Sequence, residues 1–144
     1  MLQLVFCPEF GDFDLVLEGG HLAQDPSVGT RAVIALFSDQ RAHRDDALPS
    51  DDEDPRGYWG DLDAMRSLGS RLWLCSAAKD TDATLRKVHM YATTALTRLV
   101  EEGHAKAVDV DVSRLRPGVV GLLISIRPSS SSPSLVTWEF EKTL

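Results

Sequence analysis

The segment between Thr81 and Gly103 constrains this chain more than any other. Leu85, Val88, Ala92, Ala95, Leu96 and Leu99 recur three or four residues apart, which puts them on one stripe of an α-helix. Asp80 or Thr81 can cap its start by accepting from a free first-turn amide, and Gly103 supplies the stop. A stripe of this kind must be buried, against a sheet or another helix.

Beyond the helix the chain reads as sheet. Val108, Val110 and Val112 alternate with Asp109, Asp111 and Ser113, Arg114 to Gly118 makes a turn, and Val119 to Ile126 is a nearly continuous apolar run. The pattern predicts a hairpin whose second strand is buried on both faces. Pro128 to Ser134 is a serine-rich linker, after which Val136, Trp138 and Phe140 alternate with Thr137, Glu139 and Glu141 as a terminal strand. Such a strand can pair within its own chain or with a neighbour.

Before the long helix the pattern changes twice. Leu2, Leu4 and Phe6, then Phe13, Leu15 and Leu17, alternate with other residues, and Arg31 to Phe37 is an apolar, β-rich run, with turns at Gly11-Asp12, Gly19-Gly20 and Asp25 to Gly29. Residues 61 to 78 place Leu62, Met65, Leu68, Leu72 and Leu74 or Cys75 near helical spacing, with Gly69 separating two short turns. The expected fold is α+β in a single domain, 1–144: an antiparallel β meander (1–42), an acidic loop (43–55), helices and a hairpin core (56–127), the linker (128–134) and the terminal strand (135–144).

Charge and cysteine content exclude several functions. A formal net charge of −7 and a pI near 5.0 repel a phosphate backbone, so neither nucleic acid nor an anionic membrane is an expected partner. Asp45, Asp46, Asp51, Asp52, Glu53 and Asp54 read as a solvated loop. Cys7 and Cys75 have no metal-finger spacing and sit among apolar neighbours, so buried, reduced thiols and an intracellular origin are expected. The N-terminal apolar run is too short for a signal peptide, and no apolar stretch approaches the roughly 20 residues of a membrane span.

No Walker loop, dinucleotide fingerprint, HExxH or nucleophile elbow occurs, and Gly19-Gly20-His21 lacks the lysine and helix that a phosphate site needs. The four histidines are scattered; only His43 has close acids, in Asp45 and Asp46. Glu101, Glu102, Asp109 and Asp111 could be assembled into a carboxylate pair, but general acid catalysis needs one member desolvated, and Asp109 and Asp111 occupy the polar phase of a strand. No catalytic, cofactor or metal site is expected.

Two aromatic segments stand out instead. Pro55-Arg56-Gly57-Tyr58-Trp59-Gly60-Asp61 and Gly69-Ser70-Arg71-Leu72-Trp73-Leu74 hold two of the three tryptophans among glycines and arginines. The combination suits aromatic anchoring and close backbone approach. Arg56 and Arg71 can each stack on a ring while offering a planar fork to a carboxylate or carbonyl, either as an internal clamp or as a subunit contact.

These two segments, with the helix end Ala95-Leu96-Thr97-Arg98-Leu99-Val100-Glu101-Glu102-Gly103, resemble the gene product forty-six family of Mu-like bacteriophages and, more remotely, the wedge protein twenty-five family of T-even phages. The resemblance covers residues 30 to 127. It implies a non-enzymatic baseplate wedge subunit of a contractile tail, assembled in the bacterial cytoplasm, which binds other wedge proteins and the tail sheath and has the capacity to self-associate. The T-even relatives carry a Glu-Pro-Arg clamp near the end of the long helix; here that segment reads Glu101-Glu102-Gly103, so the clamp is not carried over. The C-terminal strands would resemble the interlocking strands of the sheath.

On this reading Arg56, Tyr58, Trp59, Asp61, Arg71 and Trp73 form a packing or wedge interface, and Val136, Trp138 and Phe140 serve strand pairing. The rival readings are a lysozyme-like hydrolase using Glu101 or Glu102, and an acidic adaptor that binds a basic host factor.

Overall fold

The computed structural model describes residues 1–7, 9, 12–24, 28–50, 53–62, 67–129 and 136–144. In chain order the elements are β1 (Leu4–Cys7), β2 (Asp12–Leu15), β3 (Leu17–Glu18), β4 (His21–Leu22), α1 (Gly29–Phe37), 3₁₀ turns at Trp59–Leu62 and Leu72–Cys75, α2 (Asp82–Glu101), β5 (Ala105–Arg116), β6 (Val119–Pro128) and β7 (Val136–Thr143). The fold is α+β, with small N-terminal hairpins, two helices and a C-terminal antiparallel sheet.

The capped stripe folds as its period demands. Thr81 Oγ1 accepts from the Thr84 amide at 3.2 Å, and Gly103 ends α2 with paired bonds, Gly103 N to Val100 O at 3.0 Å and His104 N to Leu99 O at 2.8 Å. That double closure satisfies carbonyls that would otherwise be left open at the helix end. The chain then reverses into β5, along which α2 lies.

The sheet has the order β5-β6-β7, antiparallel throughout. Val120, Leu122, Ile124 and Ile126 of β6 have 0% exposure and join Val88, Ala92, Leu96 and Leu99 of α2 in one core. The expectation that β6 is buried on both faces is not met: Leu123 is 44% exposed, because α2 covers one face and the register sets Leu123 between Asp111 and Glu139. The terminal strand pairs at home, with Val136, Trp138 and Phe140 opposite Ile126, Ile124 and Leu122. The side chains at those three positions, and residues 130–134 of the linker, lie outside the described residues.

Asp80 ties the sheet to the start of α2. Its carboxylate accepts from Arg114 Nε at 2.8 Å and from the Gly118 amide in the β5–β6 turn at 3.1 Å, while Arg114 also reaches Asp82 at 3.3 Å. The Arg114 bond, then the Gly118 amide, holds the Asp80 carboxyl below the usual range, and Asp80 in turn raises Arg114.

Two sequence expectations are corrected. Arg31 to Phe37 is not a strand of a meander but α1, with Thr30, Ala32, Val33 and Leu36 buried; Ala32 and Leu36 join the core formed with α2, while Thr30 meets β1, where its hydroxyl accepts from the Leu4 amide. The β-branched pair Val33-Ile34 favours a strand locally, yet packing against α2 outweighs a propensity worth only tenths of a kcal/mol per residue. Likewise residues 61 to 78 do not form a continuous helix. Gly69, at φ 87°, separates the turns Trp59–Leu62 and Leu72–Cys75, as its position suggested; Met65 lies outside the described residues. The N-terminal alternation does become two antiparallel hairpins, β1–β2 and β3–β4.

Of the two cysteines, Cys75 is buried and Cys7 only half-buried, a partial departure from the pair of buried thiols expected. No helix of the described residues is long and apolar enough to cross a membrane.

Replacing Leu96, which has 0% exposure, with Ala is expected to cost about 2–5 kcal/mol, since it removes transfer energy and opens a cavity where α2 meets the sheet. Urea unfolding followed by far-UV circular dichroism measures it; a loss below half a kcal/mol would contradict this account of the core.

Candidate functional site: a braced loop presenting two aromatic rings

Between Ser38 and Ala78 the described residues have little regular structure beyond the two 3₁₀ turns and are held by point contacts. Ser38 and Gln40 zip onto Ser70 through Ser70 N to Ser38 O and Gln40 N to Ser70 O, both 2.9 Å, around a parallel bridge between Asp39 and Ser70. The buried Ser70 hydroxyl donates to Leu36 O at 2.5 Å and accepts from Leu72 N at 3.2 Å. Gly69 permits this approach: besides its positive φ, a Cβ there would collide with the Ser38 carbonyl. Ala42 N donates to Pro55 O at 2.9 Å, bringing the first aromatic segment alongside.

Both arginines are engaged within the chain. Arg56 lies over the ring of Trp73 at 4.6 Å and bonds Asp39 at 2.8 Å; Arg71 lies over Tyr91 at 4.9 Å and bonds Asp46 at 3.0 Å. The pairs differ in weight. Arg56 and Asp39 are about two-fifths exposed, so water screens them, whereas Arg71 and Asp46 are only 18% and 17% exposed. Burial pushes the Asp46 carboxyl up, but the His43 amide and the Arg71 guanidinium outweigh it, so its pKa falls below the usual value. Burial, then the Asp46 charge, raises Tyr91.

Trp73 is 6% exposed and its Nε1 donates to Gln40 O at 2.8 Å, so it is a core residue of the loop. Trp59 is the opposite case, 79% exposed, with Tyr58 at 45% and the two rings 5.2 Å apart. Asp61 anchors their turn: its amide donates to Tyr58 O at 3.0 Å and its carboxylate accepts from Leu68 N at 3.0 and 3.1 Å. Arg98 of α2 holds the neighbouring Ser67 carbonyl. The aromatic pair is therefore presented from a braced base, which lowers the entropy lost on binding.

From the other side, Lys142 of β7 reaches the same loop. It is lowered from the ordinary amine value by burial and feels Cys75, Asp39 and Arg56; burial pushes the Cys75 thiol up.

Sequence reasoning had missed Asp39, Asp46, Gln40 and Tyr91. Asp46 sits in an acidic run that reads as solvated, and Gln40 contributes only a backbone carbonyl, which no side-chain pattern reveals. The tyrosine three residues after Val88 falls on the buried side of α2, and that period was the available signal.

The carboxylates considered for chemistry do not converge. Glu101, Asp109 and Asp111 are exposed, and a cleft of about 280 Å³ between α1, the end of α2 and residues 67–69 has one carboxylate, Glu102, among its lining residues. Among the described residues no group of three His, Cys, Asp or Glu side chains could hold a metal. The result is an α+β scaffold that holds two projecting aromatic rings on a braced base.

Similarity to known proteins makes this specific. The family model described as phage protein GP46 matches residues 28–132, from the start of α1 into the linker. The chain is 37% identical over 131 residues to the baseplate protein gp46 of Escherichia phage Mu, covering 91% of this chain and 89% of that protein. It is 35% identical over 125 residues to the Mu-like prophage FluMu protein gp46 of Haemophilus influenzae, covering 85% and 84%. The chain belongs to the GP46 family of phage proteins.

Asp46 and Arg71 give a pH test. A carboxyl depressed in the folded state adds stability that is present above its unfolded pKa of about 3.9 and is lost as pH falls through the folded value. Wild type should therefore lose stability more steeply than Asp46→Asn below about pH 4, by urea titration across pH; parallel curves would contradict the pairing. Arg71→Ala, which removes both the fork and the ring contact, is expected to cost on the order of 2–3 kcal/mol at neutral pH by the same measurement.

Proposed function

We propose that this chain is a structural subunit of the baseplate of a Mu-like phage tail and, within it, a wedge component that binds other wedge proteins and helps to start sheath assembly by strand pairing. The observation that carries the reading is family membership with the Mu baseplate protein across nearly the whole chain. Membership of this structural family makes the chain a non-enzyme and argues against the hydrolase alternative.

The wedge and sheath roles draw support from two surfaces. Trp59 and Tyr58 offer the large, rigid apolar area that typically dominates binding energy at interfaces, on a base fastened by Asp61 and the Arg56–Trp73 stack. Among the described residues β7 ends the sheet order, so its outer edge is where a strand could be added, with affinity from main-chain bonds and register from alternating side chains. Val136, Trp138 and Phe140 set that register from within β7, where they already stand opposite β6. Arg71 and Trp73 act at one remove, by keeping the loop in shape.

Trp59→Ala separates contact from folding. At 79% exposure its loss should change stability by less than about 0.5 kcal/mol, yet block incorporation into tail particles, scored by immunoblot of purified tails from a complemented mutant. Normal incorporation of a folded Trp59→Ala chain would sink the interface.

A further inference from the structure

We propose that the N-terminal double hairpin is a second docking surface, and that its occupant is another baseplate protein presenting an apolar patch rimmed with lysine or arginine. The occupant's identity rests on the baseplate reading; the surface does not.

The N-terminal element holds a disproportionate share of the exposed large hydrophobic side chains. By register, Leu4 and Phe6 of β1 share one face with Leu15 and Phe13 of β2. Phe13 carries that face onto Phe37 of α1, ring to ring at 5.4 Å, yet Phe6 stays 48% and Leu15 44% exposed. In the second hairpin Leu17 is 69% and its partner Leu22 42% exposed. Seven of the fifteen large hydrophobic side chains exposed among the described residues fall in the first 22 positions. Scattered exposed leucines need no explanation, but a concentration on one small element marks an interaction site.

The same element is thinly fastened. Two-stranded hairpins are marginal in water by themselves. Here the ties to the body include the Leu4 amide on Thr30 Oγ1 at 3.1 Å and the Phe13–Phe37 contact, while Gln3 N on the carbonyl of the buried Ala23, at 2.9 Å, joins the ends of the element to each other. An occupant that covers the apolar face would supply the burial that the chain itself does not.

Charge selects that occupant. The first 30 residues carry Glu9, Asp12, Asp14, Glu18 and Asp25 and no lysine or arginine. Asp12 and Asp14 are exposed, and among the described residues each accepts from the next amide in the chain, Phe13 N at 2.8 Å and Leu15 N at 2.7 Å. Among the described residues, Glu9, Asp12, Asp14 and Glu18 join no ion pair. A basic rim meets both needs, whereas nucleic acid, an anionic membrane or the same face of a second copy would set like charges together. The surface lies outside the stretch matched by the family model and on different elements from Trp59.

Hydrogen exchange on the free chain and on purified tail particles tests it, together with carbodiimide cross-linking of the particles, which joins carboxylates to lysines. Amides of β1–β4 should exchange about tenfold or more slowly in the particle, and Asp12, Asp14 or Glu18 should link to a lysine of a different baseplate protein. A Leu17→Ser, Leu22→Ser variant with an unchanged far-UV helix signal should lose that link and its protection. Equal exchange in the two states, links only to other copies of this chain, or full protection in the folded variant would each overturn the proposal. If the chain is in the particle with unprotected hairpins, only this inference fails; if it is absent from the particle, the baseplate reading fails with it.

Discussion

The burial of one helical stripe against one face of the sheet is the constraint to which everything else in the structure answers. Val88, Ala92 and Leu96 of α2, with Val120, Leu122, Ile124 and Ile126 of β6, have no exposed surface, and α2 also touches β5, α1 and the turn that carries Trp73. Apolar burial is worth about 25 cal/mol per Å², and it is non-directional, so it holds these elements together without dictating their fine placement. Placement comes from the polar ties at its margins: Asp80 on the hairpin turn, Arg98 on the Ser67 carbonyl and Arg71 between Tyr91 and Asp46.

That division of labour explains how a loop with almost no regular structure can carry a contact. Backbone groups outside helices and sheets still need partners, and several of the described residues between 38 and 73 find them in each other: Ser38 with Ser70, Gln40 with Ser70 and Trp73, Ala42 with Pro55. The two arginines stack on rings from distant parts of the chain, so each aromatic segment secures itself on something other than its own neighbours. Stability then grades outward, from the α2–sheet core through the braced loop to the hairpins, and the apolar surface left open concentrates where the fastening is thinnest.

Much of the fold was legible because its signals were local. The stripe of α2 and its terminal Thr81 and Gly103 lie within one segment, as do the alternation of β5 and β7 and the Pro117-Gly118 turn, so spacing alone specifies them. The run Arg31 to Phe37 was not legible, since Val33 and Ile34 suit a strand and only contact with α2 decides otherwise. The candidate site was half legible: the aromatic and arginine content of residues 55–61 and 69–74 drew attention to it, and the arginines do find rings and carboxylates. Asp46 escaped notice because a carboxylate among carboxylates carries no mark of the guanidinium it will meet 25 residues later.

By itself, the order of residues determined the long helix and the C-terminal strands, their caps and turns, the acidic balance and the family, because period, end chemistry, charge and identity are properties of neighbours along a chain. Only tertiary structure decided which of two similar tryptophans faces inward. Trp73 is drawn in by the Gln40 carbonyl and the Arg56 guanidinium, while Trp59, with the same local composition, stays 79% exposed. Burial is a property of what arrives from elsewhere in the chain, and no local pattern records it.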